Sequence, residues 1–373
     1  MKIKLLSTLA VAAGISSLPA QTVIDITGST AGRASVHQSI LSTLGAGATY
    51  GYTGSSFTGA SQAIFKGTYA GQSVVVRTSW SGSATGLSDL VTGNTVNFIA
   101  TTTDLSANNV SNLTAGTPDS AEVAFSDVFV GTTNVPSAGL VNTNTFILPF
   151  KWVASNEANN YSAFKNVTPL QARALLASGT LPLSFFTGNS ADAEVLVIAT
   201  GRDNGSGTRI TALADIGYGV NTFVTQSQVN VSGNNITGYS DFIVSGVANP
   251  NYGYTSGGTL AGVLNKASTG DAAGTIVLSY LGLSDAATAL GGATPGKELT
   301  YNGVAYSAAA VETGEYSFWG YLHLYYKNSL TGVSKTFSDA LGVALRSNPG
   351  SSGLNPSAMG VSRATDGGTI LPN

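Results

Sequence analysis

The residues best suited to chemistry stand together in Gly201-Arg202-Asp203-Asn204-Gly205-Ser206-Gly207-Thr208-Arg209, between a β-branched run and a helix-like one. A guanidinium is a planar fork of N–H donors that can grip two oxygens of one anion. Glycines let the backbone approach closely, and Ser and Thr hydroxyls add donors. A helix that starts at such a turn aims unpaired N–H groups and a partial positive charge the same way. The chemistry this suits is the capture of a tetrahedral oxyanion. "GST" at 28–30 and "SGSATG" at 81–86 share the design, and "AEVAFSDVFV" (121–130) adds a buried-looking acid, Asp127. Taken singly, each Ser-Gly turn also reads as an ordinary loop, and Arg202 as a surface arginine paired with Asp203. The combination of the turns with Asp127 is what points to a site.

Those residues need elements to hold them. A strand is expected at 22–27, then a turn at Gly28-Ser29 and a helix to Leu44, with Ile40, Leu41 and Leu44 on one face. Strands are expected at 72–80, at 121–130, at 145–155, in "AEVLVIAT", in "GTIVLSYLGL" and at 316–327, and a short helix before Gly93. "TPLQARALLASG" (168–179) carries its own punctuation: Thr168 as N-cap, Pro169 in the first turn, Gly179 at the stop. Helices are also expected in "SGGTLAGVLNKAS" and "SKTFSDALGVALRS", and the Gly/Ser/Pro-rich tail from Asn348 on is expected to be loose. Strands alternating with helices predict an α/β architecture with mostly parallel sheets, in which ligands sit outside the carboxyl ends of the strands.

Composition narrows the function. Charged residues make up 9% of the chain and its net charge is −3. No Lys/Arg cluster suggests nucleic-acid binding. Met1-Lys2-Ile3-Lys4 and a short apolar run read as a secretory signal peptide, 1–20, cleaved near Ala20. No other stretch is long enough to span a bilayer, so the mature chain is expected to be periplasmic or secreted without a membrane span. There is no cysteine, hence no disulfide and no lipid-attachment cysteine. A serine hydrolase would need a base beside its serine, and only His37 and His323 exist, with no Gly-x-Ser-x-Gly elbow. No His/Cys/acid cluster has metal-ligand spacing. The chain is therefore expected not to be an enzyme and to need no cofactor or metal.

"GRDNGSGTR" resembles the Arg-x-Asp-Gly-Ser-Gly-Thr signature of the periplasmic phosphate-binding proteins that serve ABC phosphate uptake systems. "ITGSTAGRASVHQSIL", "WSGSATGLSDL", "AFSDVFV", "NVTPLQARALLASG" and the late run "TIVLSYLGL … KELTYNGVAYS … GEYSFWGYLHLYYK" are similar to that family's other segments, in the same order over most of residues 22–346. The resemblance implies a two-lobed class II periplasmic-binding-protein fold. One lobe would comprise 21–145 plus 316–373 and the other 146–315, with strands near Phe146–Ala154 and Tyr316–Lys327 crossing between them and a ligand cleft in the middle. It implies phosphate or a related oxyanion as ligand and an ABC transporter permease as partner. Contacts would come from Ser29 and Thr30, from Ser83 (or Ser81), from Asp127 as acceptor of the ligand's proton, and from Arg202, Ser206, Gly207 and Thr208. Asn204 stands where the family commonly has a second acid. It would also face the ligand, with both a donor and an acceptor, and relax the discrimination against sulfate. A secreted structural, adhesive or sensory protein of the same fold is the alternative expectation.

Overall fold

The structure, a computed structural model, describes residues 21–373; the expected signal peptide lies outside them. The first half runs β1 (Thr22–Gly28), α1 (Arg33–Leu44), β2 (Thr49–Tyr52), β3 (Gln62–Tyr69), β4 (Gln72–Trp80), α2 (Ser83–Thr92), β5 (Thr95–Ile99), β6 (Ala115–Ser120) and β7 (Val123–Ser126). The long β8 (Leu140–Ala154) leads into the second half. That half begins with β9 (Asn166–Val167), α3 (Pro169–Ser178), β10 (Thr180–Pro182), α4 (Ser184–Thr187), β11 (Leu196–Ala199) and α5 (Gly207–Asp215). β12 (Gln228–Ser232), β13 (Asn235–Ser240), β14 (Ile243–Val244) and β15 (Val247–Ala248) form small hairpins before α6 (Gly257–Leu264). β16 (Ala267–Ser268), β17 (Thr275–Gly282), α7 (Leu283–Ala289) and β18 (Lys297–Tyr301) complete it. The chain returns through α8 (Ala308–Glu312), β19 (Trp319–Lys327) and α9 (Gly332–Ser347).

One 12-stranded sheet carries both halves, in the order β10-β11-β17-β8-β19-β7-β1-β4-β3-β2 with β18 and β9 alongside. β8 is the joint: its residues 140–149 pair with β19, and its residues 150–154 pair with β17. Aromatic side chains stiffen that joint. Trp152 meets Tyr280 edge-on at 5.5 Å and lies 5.9 Å from Phe318, and the Tyr316 hydroxyl donates to the Phe150 carbonyl at 2.7 Å. The sheet is mixed rather than mostly parallel. β1 is parallel to β4 and β7, and β11 to β17, whereas the β2–β3–β4 meander and all pairings of β8 and β19 on this sheet are antiparallel. The helix-crossover signal is genuine around β1, β4, β7 and β11, but hairpins and the return strand outnumber it.

The expected punctuation of α3 is present. Thr168 and Gln171 form a reciprocal capping box, Pro169 occupies the first turn and Gly179 closes the helix in the left-handed region. Residues 95–120 fold into the β5–β6 hairpin, which docks through charge. Buried Arg77 grips Asp25 with two bonds, at 2.7 and 2.5 Å, and reaches Asp119 of the hairpin at 2.7 Å. The tail expected to be loose is instead packed. Leu354 exchanges backbone bonds with Ile147 at 3.0 and 2.8 Å, and Ser352, Met359, Arg363 and Asp366 are buried.

Both histidines are structural. His37 is fully buried, and Trp80 Nε1–H donates to its Nε2 at 2.8 Å. Indole nitrogen can only donate, so Nδ1 carries the proton and donates to the Phe57 carbonyl at 3.0 Å. His323 sits among Phe129, Tyr321 and Tyr325, with Nδ1 at 3.1 Å from Asn142 Oδ1. Burial pushes each imidazole down to about 3. A histidine held neutral in the fold but free to protonate when unfolded stabilises the fold fully above its unfolded pKa near 6.5. That contribution is lost as pH falls towards 3, by about 1.4 kcal/mol per pH unit. The difference in unfolding free energy between the native chain and His323→Gln should therefore change with about that slope between pH 6.5 and 4. Urea titrations at several pH values read it, and a pH-independent difference would mean that the ring is protonated in the fold.

Candidate functional site

In the first half the strand order β7-β1-β4 is wholly parallel, so three carboxyl ends lie side by side. β1 ends in Gly28 and delivers Ser29 and Thr30; the Ser29 amide is pinned to the Phe125 carbonyl at 2.8 Å. β4 delivers the turn whose Gly82, at φ +116, starts α2. β7 ends at Ser126, so Asp127 stands just past the strand rather than at its centre. In the second half β11 and β17 are parallel, and their carboxyl ends deliver Arg202 and Asp285.

The two sets meet. Ser83 donates its hydroxyl to Asp127 Oδ1 and accepts the Asp127 amide at 3.1 Å. From the other half, Thr208 in the first turn of α5 donates to Asp127 Oδ2 at 3.0 Å, and Thr211 donates to the Asp127 carbonyl at 3.3 Å. The fit allows no side chain at residue 207. A methyl on Gly207 would run into Asp127 Oδ1 and Ser83 Oγ. The Ala84 amide donates to the Gly205 carbonyl at 2.9 Å, so the α2 and α5 starts touch directly. Burial pushes the Asp127 carboxyl up, opposed by the Ser83 bond, the Arg202 charge and the Thr208 bond.

Arg202 is 1% exposed and makes no ion pair with Asp203, whose Oδ1 instead accepts the Gly205 amide at 3.0 Å. Nε and Nη2 of Arg202 are committed to the Tyr254 and Thr255 carbonyls, both at 2.9 Å. That leaves Nη1 without a hydrogen bond among the described residues. Burial pulls this guanidinium's pKa down, against the nearby charges of Asp203, Asp285 and Asp127. Thr30 Oγ1 is buried with no partner, and Ser29 and Ser206 each use their oxygen as acceptor, for the Ala31 and Arg209 amides, keeping a hydroxyl proton to give. The starts of α2 and α5 thus meet on one buried acid that feels the Arg202 charge, and Ser29, Thr30 and Ser206 add buried hydroxyls; groups of these types suit a small protonated oxyanion.

Ser29, Thr30, Ser83, Asp127, Arg202, Ser206, Gly207 and Thr208 are all buried. Of the two serines in the second turn, Ser83 reaches Asp127, while Ser81 lies 3.4 Å from Thr27. Asn204 is not brought in with them. It is exposed and lines a separate groove of about 350 Å³ with Ala84, Ser88, Asn134, Asn221 and Asn251. The Gly205 turn points residue 204 outwards and folds residue 203 inwards.

Sequence reasoning missed two members of this neighbourhood. Arg33, in the first turn of α1, forms an ion pair with Asp285 of α7 at 3.2 Å, across the halves, and both are buried. Arg209 clamps the loop through the Arg202 carbonyl at 3.1 Å and Asn251 at 2.7 and 2.6 Å. The available signal was scarcity: in a chain with 9% charge, an arginine in the first turn of an apolar helix needed a partner. Among the described residues no group of three His, Cys, Asp or Glu side chains could hold a metal ion, and no helix is long and apolar enough to cross a membrane.

No known family pattern matches the sequence, and no curated protein matches it. Solved structures do. The chain is similar to a protein from Clostridium perfringens described as a phosphate ABC transporter substrate-binding protein with bound phosphate: TM-score 0.50, 13% identity, covering 86% of this chain and 93% of that one. An ABC-type phosphate transport receptor from Vibrio cholerae superposes with TM-score 0.44 at 11% identity, covering 86% and 93%. The reduced OxyR regulatory domain from Pseudomonas aeruginosa gives 0.41 at 7% identity, covering 88% and 98%. In fold, the chain matches the phosphate ABC transporter substrate-binding proteins, a mixed α/β architecture built on one long sheet.

Proposed function

We propose that this chain is an exported solute-binding protein, not an enzyme, that takes inorganic phosphate or a closely similar tetrahedral oxyanion in the cleft between its halves and delivers it to an ABC transporter. The observation that carries this reading is the pairing of buried Arg202, with one guanidinium nitrogen uncommitted, and Asp127 within one cleft served by helix starts from both halves. The likeness to the Clostridium perfringens protein supports the reading at the level of the fold. Ser29, Thr30, Ser206 and the Gly207 amide would donate, Ser83 and Thr208 would turn their hydroxyl protons from Asp127 to the ligand, and Asp127 would accept the ligand's proton. Calorimetry of the mature chain against phosphate, arsenate and sulfate tests it: saturable binding of phosphate and arsenate is expected, and no heat with either would sink the reading. A permease and an ATPase encoded beside this chain would support the transport role.

A secreted structural or sensory role is the second reading. The contact that favours it is the Thr208–Asp127 bond, which already satisfies the acid across the cleft. The same calorimetry separates the two.

The exposure of Asn204 gives a sharper expectation. Asn204→Asp adds a charge outside the cleft, where solvent screens it. The ratio of phosphate to sulfate affinity should stay within about twofold of the native value, by the small effect of an exposed charge. A tenfold gain in selectivity would place residue 204 at the ligand.

A further inference from the structure

The C-terminal segment touches both halves of the cleft from behind. Asp215, the last residue of α5, lies 3.4 Å from Arg363 Nη1 and accepts Ser317 Oγ at 3.3 Å. Arg363 also donates to the Trp319 carbonyl at 2.9 Å and the Ser317 carbonyl at 2.6 Å, with its guanidinium 4.2 Å from the Trp319 ring. Three residues on, Asp366 Oδ2 accepts the Phe129 amide at 2.9 Å, two residues beyond Asp127. Gly367, at φ +63, lies so close to the Ala214 carbonyl that any side chain would collide with it. Residues 363–367 therefore grip the far end of α5 and the Asp127 loop at once, while the near end of α5 is held by the Thr208–Asp127 bond.

We propose that residues 363–367 are a releasable strap that keeps the cleft closed, with Arg363 and Asp366 as positioning residues for Asp127 and α5. Moving α5 away from Asp127 requires breaking the strap at Asp215 or at Phe129. Two features favour release over permanent packing. Asp366 Oδ1 and Arg363 Nε are both buried without a hydrogen-bond partner, so the fastened state leaves polar groups unsatisfied that an open state would hydrate. The Asp366 carboxyl, pushed up to about 6 first by burial and also by the Asp127 charge, against the Phe129 bond and Arg363, stands behind Asp127.

Only the affinity readout rests on the oxyanion reading, so the test pairs it with one that does not. Amide hydrogen exchange on the full chain should rise together at residues 127–132 and 208–215 in Asp366→Ala. It should stay near native in Asp366→Asn, which keeps an acceptor for the Phe129 amide. Inorganic phosphate should dissociate faster from Asp366→Ala, with affinity about tenfold weaker, and bind Asp366→Asn almost as the native chain does. Exchange that rises only within 360–373, or equally in both variants, overturns the strap. Failure of the native chain to bind phosphate overturns the functional reading instead, and exchange still decides the strap. If Asp366→Ala does not fold, Arg363→Lys, which keeps the charge but loses the fork over Ser317, Trp319 and Asp215, carries the same measurements.

Discussion

Arg202→Ala is expected to weaken phosphate binding by well over tenfold while the chain still folds. The guanidinium is 1% exposed, and two of its nitrogens are spent on backbone carbonyls, which fixes the direction of the third. A charge-assisted contact in such a dry, pre-oriented setting is among the strong ones. Truncating one partner of a buried charged pair costs about 2–5 kcal/mol, which is roughly 30-fold to several thousand-fold in affinity. Part of any loss would come from the 254–255 loop, whose carbonyls lose their donors. Arg202→Lys separates the contributions: it keeps the charge but cannot serve both carbonyls and the ligand, so its affinity should fall between native and alanine. Calorimetry with phosphate, beside urea unfolding of each variant, reads both effects. Near-native affinity in the alanine variant, in a folded chain, would remove Arg202 from the site.

Much of the backbone that carries these residues was legible in the sequence because its parts are local. β1 runs straight into Gly-Ser-Thr and α5 opens at Gly-Thr after the Ser206 cap, both short local signals, and α1, α2 and α5 all start near the expected residues. The capping box of α3 is likewise written within four residues. What escaped was non-local. Arg33 and Asp285 are 252 residues apart and mean nothing until the halves close. Asn204 and Asp203 are adjacent, and only the conformation of the Gly205 turn decides which one is buried. The Gly/Ser/Pro composition of the tail suggested looseness, but Arg363 and Asp366 find partners on Trp319, Asp215 and Phe129 that no local pattern announces. The parallel expectation failed for a related reason. Alternation of strands and helices marks crossovers such as β1 to β4, and it is silent about a strand like β8 that pairs antiparallel with both halves.

Asp127→Asn should shift the chain's preference towards sulfate rather than simply weaken binding. In the native cleft the carboxylate takes protons from Ser83 and Thr208 and remains an acceptor-only group. Hydrogen phosphate can donate to it; sulfate cannot, and meets a negative charge instead. The asparagine swaps one oxygen for a donor. Phosphate then loses a hydrogen bond to a charged group, worth about 1.5–3 kcal/mol, or roughly 10- to 150-fold. Sulfate loses a repulsion and gains a donor, so its affinity should hold or rise, and the phosphate-to-sulfate ratio should fall at least about tenfold. Acid should imitate the substitution. Burial holds the Asp127 carboxyl above its ordinary range, so lowering the pH protonates it earlier than a surface acid. Sulfate remains a dianion over that range, and its binding to the native chain should therefore strengthen as the pH falls, and more steeply than its binding to Asp127→Asn, in which only the neighbouring acids Asp203, Asp285 and Asp366 still titrate. Calorimetry with sulfate at stepped pH measures this without interference from the ligand's own titration. Equal losses for both anions, with no pH trend in the native chain, would make Asp127 a purely structural partner of the α5 start and leave selectivity to another residue.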